Sequence, residues 1–409
     1  MTFILAAAAA ASPGAQGGAP RQDAGLIERA RSLHKQVPLV DGHNDFPWEV
    51  REKSKGDVDA RDMRDTVDGH TDIARLREGG VGAQFWSVYV PSNEPEPVTA
   101  TLEQIDIVHR MLHKYPDTLE LALTAADIER VFAKGKIASL IGMEGGHSID
   151  NSLGTLRMMY RLGARYMTIT HGSNIPWADS ATDTPVLGGL SPFGETVVRE
   201  MNWLGMMVDL SHVSPETMAD AIRVSEAPVI FSHSSAKAIA NVPRNVPDDI
   251  LRLLPKKDGV VMVTFVPGFL SQAVADRNAR ETAETARLRA EAGATDAGVA
   301  AGIAAWRKAN PAPDATLAQV ADHIDHIRKV AGINHVGIGG DFDGITSVPK
   351  GLEDVSTYPA LTAELLRRGY TDDDVKRVLG LNLLRVMKKA EDVAARLQEK
   401  RGPSSEKMK

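Results

Sequence analysis

The sequence predicts one α/β domain built as a (β/α)8 TIM-type barrel, and three observations support this fold class. Short apolar runs alternate with helical patterns along most of the chain, which is typical of βαβ units. About eight such runs occur, the number that closes a barrel with a side-chain-filled interior. The runs are continuously apolar rather than alternating, as expected for strands that helices cover.

The predicted strands each end where a polar or glycine-rich loop begins. In chain order they cover residues 37–41, 82–90, 137–143, 166–170, 206–210, 228–232, 260–265 and 335–339. The chain of 409 residues is long enough for a large core, and barrels often run beyond about 250 residues as one domain. We therefore expect a single barrel domain over residues 23–398, followed by a polar tail over 399–409.

Helices are predicted between these strands. The segment 101–115 carries Leu102, Ile105, Val108 and Leu112 on one helical face. Most of the others open with Ser, Asp or Pro, as helix starts do. They cover residues 152–162, 192–204, 215–224 and 247–253, and terminal helices cover 361–398.

One segment, from Ser271 to about Thr316, breaks the alternation because it is rich in Ala, Arg and Glu and lacks a strand pattern. We interpret it as a helical insertion between the seventh and eighth strands. A solvated helical hairpin is the expected form. A lid over the site, or a contact in a homodimer, is the alternative.

The first 22 residues resemble a signal peptide in part. An apolar run from Phe3 to Ala11 is followed by small residues, but the positive segment that normally precedes such a run is missing. We expect a periplasmic or secreted protein if the segment is a signal peptide, and a cytoplasmic one if it is a disordered start. No apolar run is long enough to cross a membrane, and the polar C-terminus carries no lipid-anchor signal.

Composition excludes several function classes. The net charge of −7 and pI near 6.0 provide no basic surface for nucleic acid and no polybasic membrane patch. The absence of cysteine excludes disulfides, thiolate metal ligands and a cysteine nucleophile.

Histidines and carboxylates follow the predicted strands just where each strand ends. Because the carboxyl ends of barrel strands meet on one face, these side chains are expected to form one site. Histidine with Asp or Glu, without Cys, is the ligand set of a hydrolytic Zn²⁺-type site. The residues are His43, Asp45, Glu144, His171, His212, His233 and Asp341.

The spacing of these residues suggests a centre with two metal ions. His43 and Asp45 are two residues apart, so in an extended segment both point to one side and reach one ion. His212 and His233 follow adjacent strands and suit a second ion. Glu144 lies in a loop flanked by glycines, which leaves room for a carboxylate bridging ions about 3.5–4 Å apart.

The remaining candidate histidines are interpreted as structural. His70 and Asp72 repeat the His-X-Asp spacing, but no apolar run precedes them, and Thr71 and Asp72 look like caps of a following helix. Asp343 is interpreted as a turn residue. The other histidines expected to be structural are His109, His113, His147, His323 and His326.

Motifs spread over most of the chain resemble those of the membrane (renal) dipeptidase family of metallopeptidases. They run in order from about Val37 to Leu384, so the resemblance is specific. The motifs are Asp41-Gly-His-Asn-Asp-Phe-Pro-Trp48, Gln84-Phe-Trp-Ser-Val-Tyr89, Glu144-Gly-Gly-His-Ser-Ile-Asp150, Thr170-His-Gly-Ser-Asn174, Pro176-Trp-Ala-Asp179, Asp209-Leu-Ser-His212, Phe231-Ser-His-Ser-Ser-Ala236, Arg244-Asn-Val-Pro-Asp248 and Gly339-Gly-Asp-Phe-Asp-Gly344.

The resemblance implies an amidohydrolase-type barrel with two zinc ions that cleaves dipeptides, often with a D-residue on the C-terminal side. It implies that His43 and Asp45 hold one ion, that His212 and His233 hold the other, and that Glu144 bridges them. His171 would contact substrate and stabilise the oxyanion. Arg244 would bind the substrate carboxylate, and Asp341 would be the catalytic acid and base.

Two other readings of the chain stay open. One is a different amidohydrolase-type enzyme, such as an N-acyl amino acid deacylase or a lactonase. Many such enzymes begin with His-X-His and bridge their metals with a lysine carboxylate, whereas here the pair is His43-X-Asp45 and the bridge candidate is a glutamate. The other is a metal-binding barrel without turnover, which the presence of Asp341 as a candidate base argues against.

Overall fold

The computed structural model describes residues 24–291 and 293–408, so the expectation for the segment 1–22 lies outside the described residues. Within the described part, the nine strands are all parallel to their neighbours. They are β1 (Leu39–Asn44), β2 (Val81–Tyr89), β3 (Leu119–Leu121), β4 (Ile137–Glu144), β5 (Ala164–Thr168), β6 (Met207–Asp209), β7 (Val229–Phe231), β8 (Val260–Val263) and β9 (Val336–Ile338).

Eight of these strands close a barrel. The sheet runs β2-β1-β9-β8-β7-β6-β5-β4, and the additional pairing of β2 with β4 closes it. All eight overlap the predicted strands, so the predicted fold class is confirmed. The strand that the sequence analysis missed is β3, which has three residues and pairs with the amino-terminal half of β4 beside the barrel.

The barrel interior is filled by side chains, as the count of eight strands predicts. Phe85 of β2 and Tyr166 of β5 have ring centroids 5.0 Å apart although β4 separates their strands, so both rings cross the interior. Val40, Ile230 and Met262 belong to the same buried cluster. A larger cluster packs the outer face of the strands against the helices.

Helices cover the barrel, and many begin at a side-chain cap such as Ser152, Ser191 or Ser214. The predicted helices 192–204 and 215–224 have those bounds, whereas the predicted helix 247–253 overlaps only the short helix 248–251. The helices are α1 (Ala24–His34), α2 (Phe46–Ser54), α3 (Ile73–Gly79), α4 (Pro97–Lys114), α5 (Ala125–Ala133), α6 (Leu153–Arg161), α7 (Pro192–Leu204), α8 (Pro215–Val224), α9 (Asp248–Leu251), α10 (Leu254–Lys257), α11 (Pro267–Leu270), α12 (Gln272–Arg289), α13 (Asp296–Ala309), α14 (Leu317–Ala331), α15 (Tyr358–Arg367), α16 (Asp372–Lys376) and α17 (Asn382–Lys400).

The predicted insertion between the seventh and eighth barrel strands is a helical hairpin of α12 and α13. The helices approach closely at Gly302, where a Cβ would lie 2.7 Å from Leu288. The Arg277 guanidinium lies 4.9 Å from the Trp306 ring centroid and pairs with Glu281. Most of the hairpin surface is exposed, which fits the solvated form that the composition predicts.

The residues after α17 pack against the barrel's outer helices. The Trp203 indole nitrogen donates to the Arg401 carbonyl at 2.9 Å, and the Ser404 amide donates to the Glu200 carboxylate at 3.1 Å. The polar tail therefore lies along α7. In the described part of the chain, every helix is too short or too polar to cross a bilayer.

Candidate metal centre and active site

The seven residues expected to form the site lie together at the carboxyl ends of the barrel strands. His43 lies in β1, Asp45 is the first residue after that strand, and Glu144 is the last residue of β4. The other four lie in the loops that follow β5, β6, β7 and β9. All except His43 line one cavity of about 500 Å³, a size that suits a small ligand.

Glu144 lies at the middle of the group, and its two carboxylate oxygens face different donors. Oε2 lies 3.5 Å from His43 Nε2. Oε1 lies 3.1 Å from His212 Nε2 and 3.5 Å from His233 Nε2. One carboxylate therefore stands between two separate sets of possible metal ligands.

The first set consists of His43 and Asp45, whose Nε2 and Oδ2 atoms are 3.2 Å apart. His43 Nε2 is buried without a hydrogen-bond partner among the described residues. Asp45 begins α2 rather than extending the strand, and its side chain makes no capping bond to that helix. A buried nitrogen without a partner beside an uncommitted carboxylate fits a cation.

The second set consists of His212 and His233, whose Nε2 atoms lie 2.9 Å apart. Ligand atoms bound at about 2.0–2.1 Å around a tetrahedral zinc ion are separated by roughly 3.3 Å, so this spacing suits a shared ion. Among the described residues, three groups of at least three His, Asp or Glu side chains have ligand atoms within 4.8 Å of one another. They are His43 with Glu144 and His233, Glu144 with His171 and His212, and His43 with Asp45 and Asp341.

The electrostatics of Glu144, His212 and His233 match the protonation states that metal ligands need, whereas His43 differs. Burial lowers the pKa of His43, but Tyr166, Asp45 and Glu144 outweigh it and hold that pKa well above its usual value. Burial, followed by nearby positive groups, holds the pKa of His212 and of His233 well below the usual value, so both rings are neutral at pH 7. Burial raises the pKa of the Glu144 carboxyl, but the surrounding histidines outweigh it and hold that pKa well below its usual range. Neutral imidazoles and an ionised carboxylate are the forms that bind cations.

Asp341 differs from Glu144 in the direction in which its pKa is shifted. Burial is the main cause that raises its pKa well above the usual value, and the carboxylates of Asp45 and Glu144 add to the effect. The residue lies in a left-handed conformation with φ of 64°, and its amide donates to the His43 carbonyl at 3.1 Å. A carboxyl group whose pKa is raised above its usual range, beside the other site residues, suits proton transfer in both directions.

His171 and Arg244 lie on the cavity wall. His171 Nε2 is 3.7 Å from Glu144 Oε1, and its ring centroid is 4.9 Å from that of Tyr89. Arg244 is buried, and it donates to the Ser234 hydroxyl at 3.5 Å and to the His233 carbonyl at 3.3 Å.

Arg244 has no ion-pair partner among the carboxylates of the described residues, none of which comes within 4.0 Å of its nitrogens. Burial lowers the pKa of the guanidinium to about 10, which leaves it charged at pH 7. The side chain packs 5.2 Å from the Phe269 ring centroid. Asp341, Glu144 and Asp209 attract the guanidinium without contacting it directly. A buried cation that no described carboxylate pairs with directly, at a cavity wall, suits an anionic ligand group.

Apolar side chains form another wall of the cavity. Trp48 and Tyr89 make an edge-to-face contact with centroids 4.9 Å apart. Phe269 belongs to α11, directly before the inserted hairpin. The lining residues are Asp45, Trp48, Glu49, Tyr89, Glu144, His171, His212, His233, Arg244, Val266, Phe269, Asp341, Asp343, Gly344, Ile345 and Thr346.

Side chains that no sequence motif singled out hold the candidate ligands in place. The Ser87 hydroxyl donates to Glu144 Oε2 at 3.1 Å. The Tyr166 hydroxyl lies 2.9 Å from His43 Nδ1, and the Ser232 hydroxyl, which donates to Asp209, lies 2.8 Å from His233 Nδ1. Each lies in or next to a strand whose residues were noticed as an apolar run or a motif, but nothing in one sequence separates these side chains from their neighbours.

The histidines interpreted as structural have other partners. The His70 ring accepts from the Asp343 amide at 3.0 Å, and its own amide donates to the Asp343 carboxylate at 2.6 Å. His70 therefore holds the loop that carries Asp341. Asp72 caps α3 as expected, whereas the Thr71 hydroxyl instead accepts from Asn44 at 2.8 Å.

Four of the remaining histidines make contacts away from the three groups. His147 bonds the Val90 carbonyl, and His109 bonds the Leu162 carbonyl. His323 bonds Ala236 and Leu270, and His326 pairs with Asp248. His113 is exposed on α4.

A parallel (β/α)8 barrel with His, Asp and Glu donors gathered at the carboxyl ends of its strands defines the class of metal-dependent barrel hydrolases. Residues 27–401 match the sequence profile of the membrane dipeptidase family, peptidase family M19. The chain belongs to this family. It is therefore a metallopeptidase that hydrolyses dipeptides.

Individual relatives agree with this assignment. The chain is 42% identical over 386 residues to dipeptidase verJ of Clonostachys rogersoniana, covering 91% of this chain and 89% of the relative. It is 43% identical over 378 residues to dipeptidase 3 of Mus musculus, covering 91% and 68%. The crystal structure of the probable dipeptidase PvdM from Pseudomonas aeruginosa superposes with a TM-score of 0.80 at 25% identity, covering 92% of this chain and all of that one.

Proposed function

We propose that the protein is a dipeptidase with two zinc ions bridged by Glu144. The observation that carries the proposal is that the two Glu144 oxygens face separate donor sets, one on each side. Imidazole and carboxylate donors without thiolate suit hydrolytic zinc. In this arrangement His43 and Asp45 hold one ion, and His212 and His233 hold the other.

Each ion would have three protein ligands when Glu144 is counted for both. Catalytic zinc sites keep a position open for water or substrate in addition to three protein ligands. The cavity lies directly over these ligands, so a substrate has access to that position. When bound, the two ions supply an activated water nucleophile and polarise the scissile carbonyl.

The remaining residues take the other roles in hydrolysis. Asp341 takes the proton of the attacking water and delivers it to the departing amine, for which its raised pKa is suited. His171 stabilises the oxyanion that forms on the substrate carbonyl, a contact that typically contributes about 2.7–4 kcal/mol. Glu144 completes the proposed catalytic set.

Arg244 recognises the free carboxylate of a dipeptide through its two-pronged guanidinium. This contact selects short substrates, because a longer peptide has no carboxylate at that position. The family resemblance extends the proposal to dipeptides with a C-terminal D-residue. Because Arg244 binds the carboxylate, the side chain of the C-terminal residue contacts the apolar wall of Trp48, Tyr89 and Phe269 whether that residue has the L or the D configuration.

Dipeptide hydrolysis by the purified protein tests this proposal. We expect two zinc ions per chain, loss of activity with a chelator, and recovery when Zn²⁺ is added back. Dipeptides of L-L and L-D configuration should be cleaved, whereas the matching tripeptides and dipeptide amides should be poor substrates. Faster cleavage of N-acyl amino acids or lactones than of dipeptides would contradict the proposal and favour another amidohydrolase-type activity.

A further inference from the structure

In two of the candidate metal-binding histidines, a hydroxyl group bonds Nδ1, the ring nitrogen opposite the one that faces Glu144. His43 Nδ1 lies 2.9 Å from the Tyr166 hydroxyl oxygen. His233 Nδ1 lies 2.8 Å from the Ser232 hydroxyl oxygen. A hydroxyl can donate or accept, so the direction of each bond depends on where the hydroxyl proton goes.

The Tyr166 proton is committed to the backbone. The hydroxyl lies 3.1 Å from the Gly42 carbonyl oxygen, which can only accept. The phenol oxygen is therefore left to accept from His43, and the ring proton lies on Nδ1. In the neutral ring, the form that binds a metal ion, this tautomer leaves a lone pair on Nε2, the atom that faces Asp45 and Glu144.

The Ser232 proton is committed to a carboxylate. The Ser232 hydroxyl donates to Asp209 Oδ2 at 2.6 Å, and Asp209 Oδ2 also accepts from the Thr168 hydroxyl at 2.5 Å. The other Asp209 oxygen accepts from the amides of Ser232 and Ser211. The Ser232 oxygen is left to accept from His233 Nδ1, so the lone pair of His233 also lies on Nε2.

The barrel interior is shaped to hold the Tyr166 ring in this position. Gly142 is the residue paired with Tyr166 across β4 and β5, and a Cβ there would lie 2.0 Å from the Tyr166 ring. Tyr166 is fully buried. The phenol is thus packed closely against Gly142, with its hydroxyl beside the His43 imidazole.

We propose that Tyr166 and Ser232 are positioning residues that hold His43 and His233 in the Nδ1–H tautomer and present both Nε2 lone pairs to the metal ions. This inference rests on the proposed function, because it concerns the same two ions. Groups that bond the far nitrogen of a metal-binding histidine fix its orientation and raise its basicity. Here neutral hydroxyls, one of them backed by Asp209, fill that role.

Zinc affinity of two variants tests the inference. Tyr166→Phe keeps the ring and removes only the hydroxyl, and Ser232→Ala removes only the other hydroxyl. Each substitution is expected to weaken the affinity for one of the two zinc ions by about 10–100-fold and to leave the affinity for the other ion unchanged. The measurement is a competition titration of Zn²⁺ against a chromophoric chelator, together with the zinc content after dialysis.

Two matched variants control for general packing effects. Tyr358→Phe removes another fully buried phenol, which donates to Asp41 at 2.8 Å and does not contact the histidines. Ser235→Ala removes a buried hydroxyl that has no hydrogen-bond partner. Both controls are expected to bind two zinc ions with wild-type affinity, whatever their effect on the free energy of unfolding.

A spectroscopic measurement on the zinc-loaded protein reports the bond itself. With ¹⁵N-labelled histidine, wild type should show a hydrogen-bonded Nδ1–H resonance for His43, and Tyr166→Phe should shift it and speed its exchange. Unchanged zinc affinities in both variants, or an equal loss in Tyr358→Phe, would overturn the inference. Wild-type protein that binds no zinc would overturn the proposed function instead.

Discussion

At the scale of single residues, Glu144 is the group on which the other side chains converge. Its oxygens lie within 3.1–3.7 Å of the Nε2 atoms of four histidines, on strands that are far apart in sequence. Its own hydroxyl partner is Ser87. Glutamine is close in size to glutamate but lacks the charge, so a substitution there separates the electrostatic role from the packing role.

Glu144→Gln is expected to lower kcat for dipeptide hydrolysis by at least about 10³-fold, the upper end of what loss of one electrostatic contact costs. Zinc content should also fall below two per chain. Steady-state kinetics and metal analysis check this result. Glu103→Gln, at an exposed glutamate on α4, is the control and should behave as wild type. Near wild-type turnover by Glu144→Gln would contradict the bridging role.

Arg244→Lys keeps the positive charge but loses the two-pronged contact to a carboxylate. Hydrogen bonds to charged groups contribute about 1.5–3 kcal/mol, so kcat/KM for dipeptides should fall by about 10–150-fold. Rates on the corresponding dipeptide amides should hardly change, which provides the internal control. An equal loss on dipeptides and amides would show that Arg244 acts on the metal centre rather than on the substrate carboxylate.

Asp341→Asn removes the proposed proton-transfer group while keeping its shape. We expect kcat to fall by about 10²–10⁴-fold, the usual contribution of general acid–base catalysis. Zinc content should stay at two per chain, because His43, Asp45 and Glu144 remain to hold the nearer ion. Kinetics with metal analysis on the same sample separate the two effects. Loss of one zinc ion would instead make Asp341 a metal ligand.

At the scale of elements, the site is assembled where strands end and helices begin. Asp45 occupies the first position before α2 but leaves that helix uncapped, since its carboxylate turns towards His43. His70 holds the loop after β9, and His34 joins α1 to two other helices. Buried histidines thus serve both as candidate ligands and as links between elements.

His34 makes the barrel's outer layer sensitive to acid. Burial lowers its pKa to about 4 while its ring bonds Gly79 and Thr362. The unfolded chain binds a proton near the ordinary pKa of about 6.5, so stability falls as pH drops from 6.5 to 4. The loss attributable to His34 at pH 4 is about 3 kcal/mol.

The effect of His34 is measured by urea unfolding of wild type and His34→Gln at several pH values between 7 and 4. Wild type should lose more stability than the variant over this range, although it starts out more stable at pH 7. A difference between the two proteins that does not change with pH would contradict the assignment. His113→Gln, at an exposed histidine, is the control and should follow wild type.

At the scale of the whole molecule, metal binding is expected to stabilise the barrel. The proposed ligands come from the ends of β1, β4, β6 and β7, so an ion bound there ties together strands on several sides. The single domain expected over residues 23–398 would respond to metal binding as one unit. The predictions of a homodimer and of an exported protein concern features that this fold does not determine.

Zinc should therefore raise the thermal unfolding midpoint of metal-free protein. A ligand at 100 times its dissociation constant stabilises the folded state by about 2.7 kcal/mol. Differential scanning fluorimetry with increasing Zn²⁺ checks this, and Glu144→Gln should show a smaller shift. A midpoint that Zn²⁺ does not change would contradict binding to the folded barrel.

Much of the fold was predictable because its signals are local. A continuous apolar run marks a buried strand whatever surrounds it, and Ser191 and Ser214 begin helices through bonds to their own neighbours. The strand β3 was missed because three residues carry no pattern of their own. It exists only because β4 offers an unpaired edge at that point.

By itself, the sequence determined the barrel and the set of residues at its carboxyl end, since parallel strands bring their ends to one face. The family motifs narrowed the activity to dipeptides. The three-dimensional packing was needed to show that Glu144 faces two donor sets, that no described carboxylate pairs directly with Arg244 and that Tyr166 reaches His43. These are distances across the barrel interior, and they depend on strand register and side-chain packing, which the order of residues in one chain does not reveal.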